Sequence, residues 1–164
     1  MINIVPVKLK ANIGVVADLA KIIWTEHYTP IIGLEQVNYM LDKFQSENAI
    51  QEQLEKGIAY YLLQFKDEFV GYFSYSINED ALFLSKLYVL KSARGNGVAK
   101  VGLSFMQSQA KELNLAKIRL TVNKYNSDSI AAYEKMGFLN VDSIVQDIGG
   151  GYVMDDYVLE RKLD

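Results

Sequence analysis

The chain has no cysteine at all among its 164 residues. No disulfide framework, thiolate nucleophile or cysteine-held metal can form from it. It has a single histidine, His27, so a multi-histidine metal site is excluded, and no metal is expected. Basic charge is not in excess: the formal net charge is −3. A nucleic-acid binder is normally marked by a basic surface, so no nucleic-acid partner is expected. No apolar run approaches the roughly 18 residues of a membrane span, and the opening MINIVPVKLKAN lacks the charged-then-apolar pattern of a secretion signal. Those absences predict a soluble, cytoplasmic protein with no membrane partner. With only two prolines and no low-complexity stretch, the chain also offers no obvious linker. What is abundant is apolar surface: half the residues are hydrophobic, enough for one core, and a single domain over 1–164 is expected.

Periodicity supplies the elements. Residues 2–8 alternate as a short strand. Asn12 is placed to cap a helix whose apolar residues Ile13, Val16, Ala17, Ala20, Trp24 and Tyr28 recur at helical spacing to about His27, with Thr29-Pro30 ending it. Residues 34–44 read as a second helix, and Ser46 caps a third that stops before Gly57. Three strands follow at 58–66, 69–77 and 81–90, joined by turns at Lys66-Asp67-Glu68 and Asn78-Glu79-Asp80. A helical face returns with Val98, Val101, Phe105, Met106, Ala110 and Leu113. Residues 116–122 make a strand, Asn126 to Met136 a helix stopped by Gly137, and Phe138–Gln146 and Tyr152–Leu163 two last strands around Gly149-Gly150-Gly151. This order predicts an α/β fold with a mixed sheet and helices on its faces.

The loop Arg94-Gly95-Asn96-Gly97-Val98-Ala99 follows a strand and opens a helix. A helix start presents unpaired N–H groups and the positive end of the helix dipole, and glycines let the backbone approach an anion closely. Arg94 adds a permanent charge. It is not a P-loop, because Leu103-Ser104 follow the second of the two suitably spaced glycines, Gly97 and Gly102. Nor is it a dinucleotide fingerprint, since Lys100 stands where a small residue is required. On the loop alone, an anion site and a plain strand–helix junction remain equal readings.

Further on comes Asn126…Tyr133-Glu134-Lys135-Met136-Gly137-Phe138. Together with the strand Leu84–Val89 and the loop Ser92–Ala99, this segment resembles the GNAT family, the Gcn5-related N-acetyltransferases, over roughly residues 58–145. The resemblance implies the GNAT acyl-CoA N-acyltransferase fold, with about seven strands flanked by helices, and acetyl-CoA as co-substrate. It implies that Leu87, Tyr88 and Val89 are cofactor-binding, with Leu87 and Val89 offering backbone groups to the pantetheine arm. Arg94, Gly95, Asn96, Gly97, Val98 and Ala99 would hold the pyrophosphate, and Asn126 would contact the pantetheine region. Tyr133 would give a proton to the departing thiolate, a role suited to a phenol. The first loop position, usually Gln or Arg in that family, is Ser92 here. The glutamate that family members often carry on the fourth strand is missing from Leu82-Phe83-Leu84-Ser85-Lys86.

The base therefore has several candidates: Glu26, His27, Asp155 and Asp156. For the acceptor, Trp24, His27, Tyr28 and Asp155 are the expected contacts, with Tyr39 and Tyr152 as further aromatics near that side. The expected acceptor is a small-molecule amine, such as a polyamine or amino-acid derivative, or a peptide N-terminus. A non-catalytic CoA-binding module on the same fold is the alternative, since fold does not fix function. A homodimer through Tyr152–Leu163 is also expected.

Overall fold

The computed structural model describes residues 1–163; the single-domain expectation over 1–164 extends to Asp164, which lies outside them. The elements are β1 (Ile2–Pro6), α1 (Lys10–Ile32), α2 (Leu34–Gln45), α3 (Glu47–Glu55), β2 (Ala59–Phe65), β3 (Glu68–Asn78), β4 (Ala81–Val89), α4 (Val98–Glu112), β5 (Lys117–Asn123), α5 (Ser127–Lys135), β6 (Leu139–Gly149) and β7 (Tyr152–Lys162). The strands hydrogen-bond in the order β1-β2-β3-β4-β5-β7-β6. The β4–β5 pair is parallel, while β1–β2, β2–β3, β5–β7 and β6–β7 are antiparallel, so the sheet is mixed as expected.

The residues group into two compact units. The first is Met1–Ser76 with Ser85–Met106. In it α1 packs on α2 and α3, burying Ile13, Val16, Leu19, Ala20, Ile23 and Trp24, and β3 is buried on both faces from Val70 to Tyr75. The β2–β3 hairpin closes through Lys66 and Asp67, both at positive φ, the conformation that a two-residue turn needs to match strand twist. Ser46 caps α3, accepting from the Ala49 amide at 3.1 Å.

The second unit is Ile77–Leu84 with Gln107–Asp164 as far as it is described. Here β5 alternates strictly, with Ile118, Leu120 and Val122 buried, the signature of a strand with one face in a core. β7 lies between β5 and β6, and β6 forms the edge.

Three expectations are corrected. α1 does not stop near His27 but continues through Pro30 to Ile32. Pro30 lacks the N–H for one hydrogen bond and its ring crowds the carbonyl four residues back, a local cost the helix carries in its last turn. Thr29 Oγ1 donates to the Thr25 carbonyl beside it, and Gly33 N closes the helix on Thr29 O at 2.9 Å. Asn12 is not the cap: Leu9 holds that position, and its carbonyl accepts from the Asn12 and Ile13 amides at 3.0 and 3.2 Å. Leu113 lies past the end of α4 and is exposed. In the sheet β7 is paired on both sides, and the edge belongs to β6.

Candidate active site

β4 is the first part of the site. Its ladder with β5 runs from Ala81↔Lys117 to Leu84↔Leu120, yet β4 continues to Val89. The tail of β4 has a fixed orientation against β3. A Cβ built on Gly71 would lie 2.4 Å from the Tyr88 carbonyl oxygen, and Leu90 N donates to Val70 O at 2.7 Å. The backbone groups of Tyr88 and Leu90 thus turn toward β3, and strand alternation turns those of Leu87 and Val89 the other way. Leu87 and Val89, the two residues expected to offer backbone groups to pantetheine, are therefore those that face away from β3.

The loop follows directly. A 3₁₀ turn, Lys91–Ala93, buries Ala93, and Arg94 Nε donates back to the Val89 carbonyl at 3.4 Å. Asn96 Nδ2 donates to Ala93 O at 3.0 Å and to Arg94 O at 3.4 Å, bracing the loop from inside. Gly95 and Gly97 sit at φ +82° and +77°, which L side chains rarely adopt, with no atom within 4 Å of where a Cβ would stand. α4 begins at Val98, and its first closing bond is Val101 N to Gly97 O at 3.1 Å. The N–H groups of the first turn are left to a ligand or to water. The loop is thus an open, cationic, amide-lined cradle, which fits a pyrophosphate.

An aromatic cluster occupies one face of the β4 tail. The Tyr88 ring lies 5.6 Å from Trp24, 6.1 Å from Tyr28 and 5.7 Å from Tyr72, and the Tyr28 and Tyr88 hydroxyls share a hydrogen bond of 2.9 Å. His27, half-buried, meets the edge of Tyr28 at 4.9 Å. The sequence-predicted Trp24, His27 and Tyr28 are therefore brought together. Beside them runs a buried polar chain: Tyr72 donates to Gln45 Oε1 at 2.6 Å, Gln45 Nε2 to Tyr60 Oη at 3.0 Å, and Tyr60 to Gln53 Oε1 at 2.5 Å. Burial pushes the Tyr60 phenol up to about 12, eased by its hydrogen bond with Gln45. Lys86 packs over the Tyr60 ring at 5.9 Å and donates to Ser85 Oγ at 3.0 Å. Neither this chain nor Lys86 was singled out by sequence reasoning. The available signal was parity: Lys86 and Tyr88 alternate on the same face of β4.

The second unit holds the remaining candidates. Asn126, 3% exposed, stands at the cap position of α5, but its side chain makes no capping bond. Its backbone is fixed by Asn126 N to Asn123 O at 3.0 Å and Ile130 N to Asn126 O at 3.1 Å. Tyr133 is half-buried and meets Phe138 edge-on at 5.4 Å. The helix ends just beyond it, where Phe138 N returns to Tyr133 O at 3.1 Å and Gly137 takes φ +91°. Asp155 is ion-paired to Lys124 at 2.8 Å. Asp156, 2% exposed, has its carboxyl pushed up to about 6 by burial first and by the Asp155 charge second, with Lys124 opposing.

Residues 17–138 match the model of the acetyltransferase (GNAT) family. The chain belongs to that family. Among relatives, an uncharacterized N-acetyltransferase of Escherichia coli (strain K12), YjgM, is 29% identical over 92 residues, covering 54% of this chain and 55% of that protein. The chain thus spans about half the length of the curated relative it matches. Two solved structures show the same GNAT fold. The PaiA N-acetyltransferase from Thermoplasma acidophilum, in complex with coenzyme A, superposes with a TM-score of 0.81 at 19% identity, over 99% of both chains. The ribosomal-protein-S18-alanine N-acetyltransferase from Escherichia coli gives 0.72 at 12% identity, over 100% of this chain and 95% of that one.

No helix of the described residues is long and apolar enough to cross a membrane. Among the described residues no His, Asp and Glu cluster could hold a metal ion.

Proposed function

We propose that this GNAT-family chain transfers acetyl from acetyl-CoA directly to an amine, with both units acting as one acetyltransferase domain. The observation that carries the reading is the continuity of the β4 tail with the Arg94–Ala99 cradle. Leu87 and Val89 direct backbone groups away from β3, and five residues beyond Val89 Arg94 marks the start of an open loop ending on a helix start. In this reading Leu87 and Val89 bind the pantetheine arm, and Arg94, Gly95, Asn96, Gly97, Val98 and Ala99 hold the pyrophosphate. Asn126 contacts the pantetheine region. When bound, the thioester supplies an activated acetyl group.

Transfer forms one C–N bond and breaks one C–S bond. Tyr133 gives its proton to the departing sulfur, and a base takes the proton that the amine loses. Of the four candidates Asp156 has the environment of a base: a carboxyl pushed up to about 6 is ionised at neutral pH yet holds a proton more tightly than an exposed one. Asp155, committed to Lys124, is less suited to hold an acceptor. Trp24, His27 and Tyr28 line the acceptor side. For a homodimer, we read the β6 edge, with Leu139, Val141 and Val145 exposed, as the surface for a second copy.

Calorimetry tests the donor site. Wild type binds CoA, and Arg94→Glu, which reverses the charge at the cradle, weakens binding by about tenfold or more. Equal affinity in the two proteins sinks the assignment of the loop.

A further inference from the structure

Lys86 and Tyr88 lie two residues apart on β4 and so share one face of the strand. On the opposite face, Leu87 packs where a Cβ on Gly102 of α4 would come within 3.3 Å of it. Lys86 therefore stands on the side of Trp24 and Tyr28, next to the backbone assigned above to the acetyl donor. Lys86 is half-buried, as are Tyr28 and Tyr88, so this face is reachable from solvent. The groups about it are uncharged: the Ser85 hydroxyl at 3.0 Å, the Tyr60 ring at 5.9 Å, and behind that ring the amides of Gln45 and Gln53. Among the described residues no carboxylate pairs with Lys86. Burial alone lowers its ammonium to about 8.

A desolvated cation without a counter-ion is held at a cost, and the partner that relieves it is an anion. A second cation brought to the same place adds repulsion.

We propose that Lys86 recognises a carboxylate on the acceptor, so that the substrate is an amine that also carries a carboxylate, as an amino acid does, and not a polyamine. This rests on the acetyl-transfer reading and narrows it. The Lys86 ammonium holds the carboxylate, and the aromatic face of Trp24, Tyr28 and Tyr88 borders the rest of the molecule.

The test compares α-amino acids, the matching amino-acid amides and spermidine, following thiol release from acetyl-CoA in wild type, Lys86→Met and Lys86→Arg. In wild type the free amino acids exceed their amides in kcat/KM by about tenfold or more. Lys86→Met collapses that ratio, mainly through KM, and Lys86→Arg keeps most of it. Spermidine or the amides doing as well as the free amino acids in wild type overturns the proposal, as does an unchanged ratio in Lys86→Met. A binding measurement separates this from the activity itself. The N-acetyl amino acids are titrated into CoA-saturated protein at pH 8 in buffers of different ionisation heat. Wild type binds them with uptake of about half a proton, because an anion raises the affinity of Lys86 for its proton, and Lys86→Met binds weakly with no uptake. If no amine is acetylated but this binding pattern holds, the enzyme reading fails and the carboxylate site stands. If none of the probes binds wild type, or if they bind Lys86→Met equally, the carboxylate site is wrong whatever the turnover.

Discussion

The Tyr88 carbonyl oxygen lies only 2.4 Å from the point where a Cβ on Gly71 would stand. The obstacle is backbone, and the Val89 Cα follows at 3.1 Å, so Gly71→Ala must push β4 away from β3. Such overpacking costs about 1–3 kcal/mol. The expected result is a lowered Tm together with weaker CoA binding, because the displaced backbone is that of Leu87–Val89. Gly102→Ala is the control: its Cβ meets only the Phe73 and Leu87 side-chain tips at 3.2 and 3.3 Å, and a smaller loss is expected.

Lys86→Met is expected to stabilise the fold at pH 7. The folded state lowers this ammonium from 10.5 to about 8, so it disfavours the proton that the unfolded chain keeps. The penalty is fully present below pH 8 and is relieved as pH rises from 8 toward 10.5, where the unfolded state binds more protons. Denaturant melts should show a gain of about 1–2 kcal/mol at pH 7 that shrinks by pH 10. A gain independent of pH contradicts the desolvated-lysine account.

Asp156 carries the opposite sign. Its carboxyl is raised from 3.8 to about 6, so the native state holds the extra proton and stability falls as pH rises through that window. Asp156→Asn should therefore stabilise the protein by about 1 kcal/mol at pH 7 and by little at pH 4. If Asp156 is the base, the same variant loses turnover, and the acidic limb near pH 6 in the wild-type profile of kcat/KM disappears. An unchanged acidic limb assigns that proton to another group.

Tyr133→Phe removes the hydroxyl and keeps the ring against Phe138, where the two meet at 5.4 Å. The expected outcome is a fall in kcat of about a hundredfold with CoA affinity retained, read by thiol release and calorimetry. Full activity across pH rules out Tyr133 as the acid.

The elements that carry the GNAT signature were legible because each is set by local chemistry. Ser46 caps, Gly57 and Gly137 stop helices, Gly95 and Gly97 require positive φ, and β5 alternates. The failures came from tertiary context. Pro30 reads as a stop, but its position in the last turn, with Thr29 and Gly33 closing the chain around it, lets α1 continue. The edge position of β6 was not legible either, since it depends on β7 pairing on both sides. Trp24, His27 and Tyr28 were found through helical spacing, since they lie on one stretch of α1. Lys86 was passed over because its meaning depends on neighbours from β2 and α2 that are distant in sequence: the Tyr60 ring and the Gln45 amide behind it.

The central claim is acetyl transfer from acetyl-CoA to an amine nitrogen. Its most direct test incubates wild-type protein with acetyl-CoA and the amine panel, following free thiol and the mass of the amine product together. The account predicts stoichiometric release of thiol and an amide 42 Da heavier than one amine class (an acetyl replacing a hydrogen, about 42 Da), with both signals lost in Arg94→Glu. Tight CoA binding with neither thiol nor product from any amine contradicts it.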